Sequence, residues 1–244
     1  MTLSIIIPAL NEEAALPATL DRLKKLKPQP HQIVLVDGGS TDRTIEIAQA
    51  AGVTVVTASK PGRAGQMNLG ADAATGDQLC FLHADTELPL DFVTLTDQVL
   101  ADRRTALAGF VSIMRGPSGT RRVTTAHNFI KTWYAPLFFR PHLFVRGCRL
   151  LFGDQVMVCR RGVFDAIGGF DETQVIMEEA DFCIRVTHGR LGRIRQVNRK
   201  VWSSDRRVAE WGFWKANAAF IRIGMSWGFG GDVDALASEY DDVR

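Results

Sequence analysis

Carboxylates stand at three places where an apolar run of this chain ends. Glu12 follows LSIIIPALN, Asp37 closes IVLVD, and Asp85 follows QLCFLHA. A carboxylate so placed can accept from ribose hydroxyls or a base N–H, or give oxygen to a divalent cation. Taken singly, Asn11 and Ser40 read as helix caps and Asp37 as a turn residue. A fourth acidic group, Glu178, Glu179 and Asp181, opens a helical pattern, where acids also complement the helix dipole. Neighbours on a helix point in different directions, so these three cannot all serve one site equally. Arg63 lies in the Gly62–Gly65 turn before another helix, either as a surface residue or beside phosphate at a helix N-terminus. Arg206 and Arg207 follow Ser203-Ser204-Asp205, as part of a basic surface or as a bidentate clamp for phosphate oxygens.

Elements that could position these groups are legible from periodicity. Leu3 to Pro8, Ile33 to Val36, Val53 to Thr57 and Gln78 to His83 read as strands. Helical patterns separate them: Leu16, Leu20 and Leu23 after a cap at Asn11, then Ile45 to Ala48 after Ser40, Thr41 and Asp42, then Ala64 to Ala74. Strands alternating with helices predict βαβ units, an α/β fold with a mixed, mostly parallel sheet and helices on both faces. In such sheets ligands bind at the carboxyl ends of the strands, which is where Glu12, Asp37 and Asp85 fall. Leu107 to Met114 reads as a further strand, while Pro117, Pro136 and Pro141 are expected to break any long helix between residues 115 and 150. Arg160 to Ile167, Glu178 to His188 and Glu210 to Met225 read as helices, and Tyr240 to Arg244 as a polar tail. One domain over 1–244 is expected, with residues 1–105 as a nucleotide half and 106–244 as an acceptor half.

Composition narrows the class. The 244 residues are 46% hydrophobic and 23% charged with net charge +2, which gives no reason to expect nucleic acid as partner. Arginines crowd the stretch from Arg185 to Arg207, as a solvated face or a phosphate-binding edge. The four cysteines lack CxxC spacing and fit a reduced, cytoplasmic setting. The N-terminal run is too short for a signal peptide, and no run reaches the ~18–20 apolar residues of a membrane span, so contact with a membrane would be peripheral. PALNEE after the first strand excludes the G-x-G-x-x-G of a dinucleotide site; no P-loop is present, nor the glycine-rich basic loop of a nucleotidyltransferase.

In order along the chain, IIIPALNEE, VDGGSTD, GRAGQMNLGADAATGD leading into FLHADT, GDQVMVCRRGVFDAIGGFDE and MEEADFCIRV resemble the successive signatures of family 2 glycosyltransferases with the GT-A fold. The resemblance runs from about residue 3 to residue 207. It implies that Pro8, Asn11, Glu12 and Asp37 meet the ribose and base of a nucleotide-sugar donor, UDP being the family's usual nucleotide, with Arg63 close by. It implies that the strand-four motif, here His83-Ala84-Asp85 in place of Asp-x-Asp, gives Asp85 to a divalent metal at the donor diphosphate. His83 could ligate, orient or pack; a histidine shifts the expectation from Mg²⁺ toward Mn²⁺.

The same resemblance implies an inverting transfer in which a carboxylate takes the acceptor hydroxyl's proton. Glu179 holds the register of that base, where the family usually has Asp, with Glu178 and Asp181 as the other candidates. Asp154 and Gln155 are expected to face a sugar, unless Asp154 is a loop cap, and Arg206 and Arg207 fall near where the family's basic residues touch diphosphate. The acceptor, whether lipid, small metabolite or glycan, is not identified. Phe129, Trp133, Tyr134, Phe138, Phe139 and Phe144 could line its pocket, meet a membrane surface or simply pack in the core. A nucleotide-sugar binding protein without catalysis is the alternative that the altered motifs leave open.

Overall fold

The computed structural model of the chain describes residues 1–116 and 119–231. Apolar residues on both sides of the pleat mark a strand buried between two layers. Leu3–Ala9 forms such a strand, β1. It is followed by α1 (Leu16–Lys24), β2 (Gln32–Asp37), α2 (Thr44–Ala50), β3 (Thr54–Thr57), α3 (Arg63–Ala73) and β4 (Gln78–Phe81). These four strands run parallel, β1 between β2 and β4, with β3 outside β2. Pleat alternation sends Ile6, Val34 and Val36 to one face with Met67 and Ala71 of α3. Ile5, Ile7 and Leu35 face the other way, onto Leu16, Leu20 and Leu23 of α1. Gly70 brings α3 down onto the sheet, since a Cβ there would run into Ile6 and Val36.

Beyond β4 come β5 (Thr86–Glu87), α4 (Phe92–Ala101), β6 (Thr105–Gly116), β7 (Gly119–Thr120), α5 (Arg122–Phe139) and α6 (Pro141–Phe144). The remaining elements are β8 (Met157–Arg160), α7 (Arg161–Ile167), α8 (Glu178–His188), β9 (Arg193–Ser204), α9 (Arg206–Trp211) and α10 (Phe213–Gly228). The strand order is β3-β2-β1-β4-β8-β6-β9-β5, with β7 on β6. β8 runs antiparallel to both β4 and β6, and so splices the parallel first half to the parallel pair β6 and β9. One mixed sheet therefore passes through both halves of the chain.

Three local expectations need correction, and one strand was not foreseen. Asn11 does not cap α1: Ala15 holds that place, and Asn11 takes a positive φ of 55° with its Oδ1 accepting from the Thr41 N–H. The prolines do not prevent a long helix, because α5 runs 18 residues with Pro136 inside it. Pro136 lacks the N–H that would bond Thr132 O, and the Leu150 N–H bonds that carbonyl instead, at 3.2 Å. The arginine-rich stretch from Arg193 onward, left without an element by the periodicity, is strand β9 along β6, with Arg193, Arg195 and Arg199 exposed to solvent. The last helix is two, divided at Gly212 with φ 80°. Pro117 and the tail from Tyr240 to Arg244 lie outside the described residues.

Candidate active site

The turns that follow β1, β2 and β4 meet at one sheet edge, and side chains knit them together. Gln66 of α3, itself buried, donates through Nε2 to Ala9 O and Val36 O, both at 2.8 Å, clamping the ends of β1 and β2. Asn11 N–H donates to Ser40 Oγ, and Glu13 N–H to Asp42 Oδ2. Asp42 Oδ1 also accepts from Thr44 N–H at the start of α2.

A cavity of about 270 Å³ opens beside these turns. Pro8, Glu12, His83 and Asp85 form its wall on the side of the turns; Arg63, Asp154, Glu179, Arg206 and Arg207 close it from α3, α8, α9 and the loop before β8. Nine of the residues singled out from sequence thus meet in one place. Arg206 spans two of the acids: Nη2 lies 3.1 Å from Glu12 Oε1 and 3.0 Å from Asp85 Oδ2, and Nη1 lies 3.0 Å from Glu12 Oε2. Burial would lower the Arg206 pKa, but the bonds to Glu12 and Asp85 outweigh it and raise it.

Glu178 and Glu179 open α8 behind the positive-φ residue Met177, and both are buried. Arg63 Nη1 lies 3.1 Å from Glu178 Oε1 and 3.9 Å from Glu179 Oε1. His83 Nε2 lies 3.7 Å from Glu179 Oε1. Burial, reinforced by the neighbouring Glu179, pushes the Glu178 carboxyl up to about 7 against the pull of Arg63. Burial acts on Glu179 in the same direction, yet His83 and Arg63 outweigh it and hold that carboxyl below the ordinary range. Within the pair, the environment favours the proton on Glu178 and the negative charge on Glu179. Gly153 makes room for this contact: a Cβ there would strike both His83 Nε2 and Glu179 Oε1.

The other candidates stand apart from the cavity wall. Asp37 is buried, and its carboxylate accepts from Gly39 N–H at 2.9 Å and Ser40 N–H at 3.1 Å, so it shapes its own turn. Asp181 pairs with Arg185 at 2.6 Å, and Arg185 in turn donates to Ile167 O and Gly169 O. That contact holds Asp181 on the α7 side, outside the cavity lining. Gln155 is buried and exchanges hydrogen bonds with Thr132 and Phe152 N–H. Asn11 ties loops together, as described above. His83, by contrast, is on the cavity wall and turns Nε2 toward Glu179 Oε1.

Of the α5 aromatics that sequence offered for a pocket, Tyr134 and Phe139 line the cavity, but sequence reasoning missed the polar contribution of that helix. Lys131 lays its ammonium 3.7 Å over the Phe152 ring on the cavity wall, and Asn128 bonds Asp154. Their three-residue spacing amid aromatic residues was the available signal. As to metal, no three His, Cys, Asp or Glu side chains converge among the described residues to hold an ion unaided. A single wall carboxylate, Asp85, fits a hard cation that brings its remaining oxygen ligands from phosphate and water.

A sequence profile of glycosyl transferase family 2 matches residues 4–168. A PGL/p-HBAD biosynthesis glycosyltransferase of Mycobacterium tuberculosis (strain ATCC 25177 / H37Ra) is 32% identical over 197 residues, spanning 75% of this chain and 68% of that protein. The chain belongs to glycosyl transferase family 2 and has the GT-A fold. Among solved structures, a mannosyltransferase from Pyrobaculum calidifontis in complex with GDP-Man and Mn²⁺ superposes with a TM-score of 0.66 at 19% identity, over 99% of this chain and 65% of that one. Glucosyl-3-phosphoglycerate synthase from M. tuberculosis in complex with UDP gives 0.62 at 24% identity, over 95% and 81%. The chain spans less than two thirds of several solved structures it matches, and 38% in one case, S. aureus TarS. Among the described residues no helix is long and apolar enough to cross a membrane.

Proposed function

We propose that the protein moves a sugar from a nucleotide-sugar donor, with UDP as the nucleotide, to a hydroxyl acceptor, with inversion at the sugar C1. The observation that carries this reading is the buried Glu179 carboxylate, held ionised on the cavity wall beside His83 and Arg63. The acceptor oxygen attacks C1 while its proton passes to Glu179 and the C1–O bond to the diphosphate breaks. Glu178 behind it, its pKa raised by burial, takes a proton more readily than Glu179 and so limits the negative charge near the reacting oxygen. Glu12 offers its oxygens to ribose hydroxyls, and Arg206 meets the charge that grows on the leaving nucleoside diphosphate. When bound, a divalent cation, Mn²⁺ or Mg²⁺, neutralises that same charge, with Asp85 as its protein ligand.

Calorimetric titration with UDP, GDP, ADP and dTDP, each with and without Mn²⁺, tests the donor site. Binding of UDP that weakens without metal and in Asp85→Ala is expected. Absence of binding by all four nucleotides to the folded protein would overturn the reading. Binding with no consumption of any nucleotide-sugar, in the presence of candidate hydroxyl acceptors, would make the chain a binding protein instead.

A further inference from the structure

Helix α5 is built inside out. Its buried residues are Thr124, Asn128, Thr132 and Pro136, one stripe at four-residue spacing. Large apolar side chains stand on its outer face: Val123 is 62% exposed, Ile130 51%, Trp133 40% and Phe138 73%. A helix covered by water normally shows the opposite arrangement. On α10, Trp214 is 83% exposed. Between these helices the cavity continues away from Glu179 as an apolar passage walled by Tyr134, Phe139, Ile223, Met225 and Trp227. Gly224 of α10 lies on that wall, and a Cβ added there would meet nothing within 4 Å.

Charge selects the occupant. Arg122 on α5, Arg146 just beyond α6, and Lys215 and Arg222 on α10 are exposed, whereas Arg121 pairs with Asp205 and Lys131 lies over Phe152; neither α5 nor α10 contains an acid. A basic surface studded with exposed Trp, Phe and Ile suits the headgroup region of an anionic bilayer. We propose that the acceptor is a membrane lipid with a hydroxyl-bearing head. The outer face of α5 rests on the bilayer, the lipid tail lies in the passage between α5 and α10, and the head hydroxyl reaches Glu179. A hydroxyl head is the kind that needs a general base, so this assignment rests on the transferase reading above and names its acceptor class.

Two measurements on the full chain test it, both on samples whose UDP binding has been established by calorimetry. In the first, the protein is sedimented with phosphatidylglycerol–phosphatidylcholine vesicles and with phosphatidylcholine vesicles alone. Binding to the anionic vesicles is expected, at least tenfold weaker in the double variant Ile130→Ser, Phe138→Ser, with UDP affinity unchanged. In the second, octyl glucoside is titrated below its micellar concentration, as a tailed hydroxyl probe. Gly224→Leu is expected to weaken its binding at least tenfold while sparing UDP and vesicle binding. Failure of UDP-competent protein to bind either vesicles or the probe overturns the lipid assignment and leaves the donor site standing. Probe binding indifferent to Gly224→Leu, or a dimer in solution that the outer-face variant dissociates, also overturns it. Loss of UDP binding in the unmodified chain is the separate failure of the transferase reading.

Discussion

His83 Nε2 stands 3.7 Å from Glu179 Oε1, and both atoms are buried without a hydrogen-bond partner. Glu179 Oε1 thus keeps a lone pair unused in hydrogen bonding, with His83 and Arg63 as its neighbours. Glu179→Gln keeps the shape and removes the basicity, so turnover is expected to fall on the order of 10²- to 10⁴-fold with UDP affinity preserved. Gly153→Ala is expected to act in the same direction, because its methyl group must displace His83 or Glu179. Steady-state rates beside nucleotide titrations decide the matter, and undiminished turnover in Glu179→Gln would remove it as the base.

Arg206 joins two acids that the chain order separates widely, Glu12 and Asp85. In the proposed donor complex it also meets the diphosphate, each such charge-assisted bond contributing about 1.5–3 kcal/mol. Arg206→Ala is therefore expected to weaken UDP roughly tenfold or more, while uridine, which has no phosphate, binds as before. Equal weakening of both ligands would show a collapsed pocket rather than a lost phosphate contact.

Glu178 links folding to pH. Its carboxyl titrates at about 7 in the folded chain, above the ordinary 4.5 of an unfolded glutamate, because burial and Glu179 disfavour its charge. A raised carboxyl stabilises the fold fully below the unfolded value and loses that contribution as pH climbs through the folded one. Between about pH 4.5 and 7 the loss is on the order of 3 kcal/mol. Glu178→Gln imitates the protonated form, so its melting temperature should exceed that of the unaltered protein at pH 8 and match it near pH 4.5. Thermal melts across that range check the crossover; a constant offset would exclude the titration as its source.

Asp37 is expected to matter for stability before it matters for nucleotide. Asn in its place keeps one acceptor oxygen and turns the other position into a donor facing backbone N–H groups. Asp37→Asn should cost about 1–3 kcal/mol in denaturant unfolding, whether or not nucleotide is bound.

The first half of the fold was readable because its signals are local. β1 is apolar on both sides, α1 places Leu16, Leu20 and Leu23 at helical spacing, and turn residues separate the two. The second half depends on partners distant in sequence. β9 carries too many arginines to resemble a strand, and only its alignment against β6, ten residue pairs with two register shifts, makes it one. Within the site, motif order located Glu12, Asp85 and Glu179, all of which reach the cavity. It could not foretell that Asp37 and Asp181 would spend their oxygens on local partners, since that depends on side-chain direction. The share of α5 in the site was hidden for a related reason: its polar stripe faces inward, against the usual expectation for an exposed helix.

One detail of α5 reaches beyond the helix itself. The carbonyl that Pro136 leaves unbonded is tied to Leu150, three residues before Gly153, where His83 and Glu179 meet. An imino acid in the wrong place thereby fastens the middle of α5 to the segment that leads to Gly153.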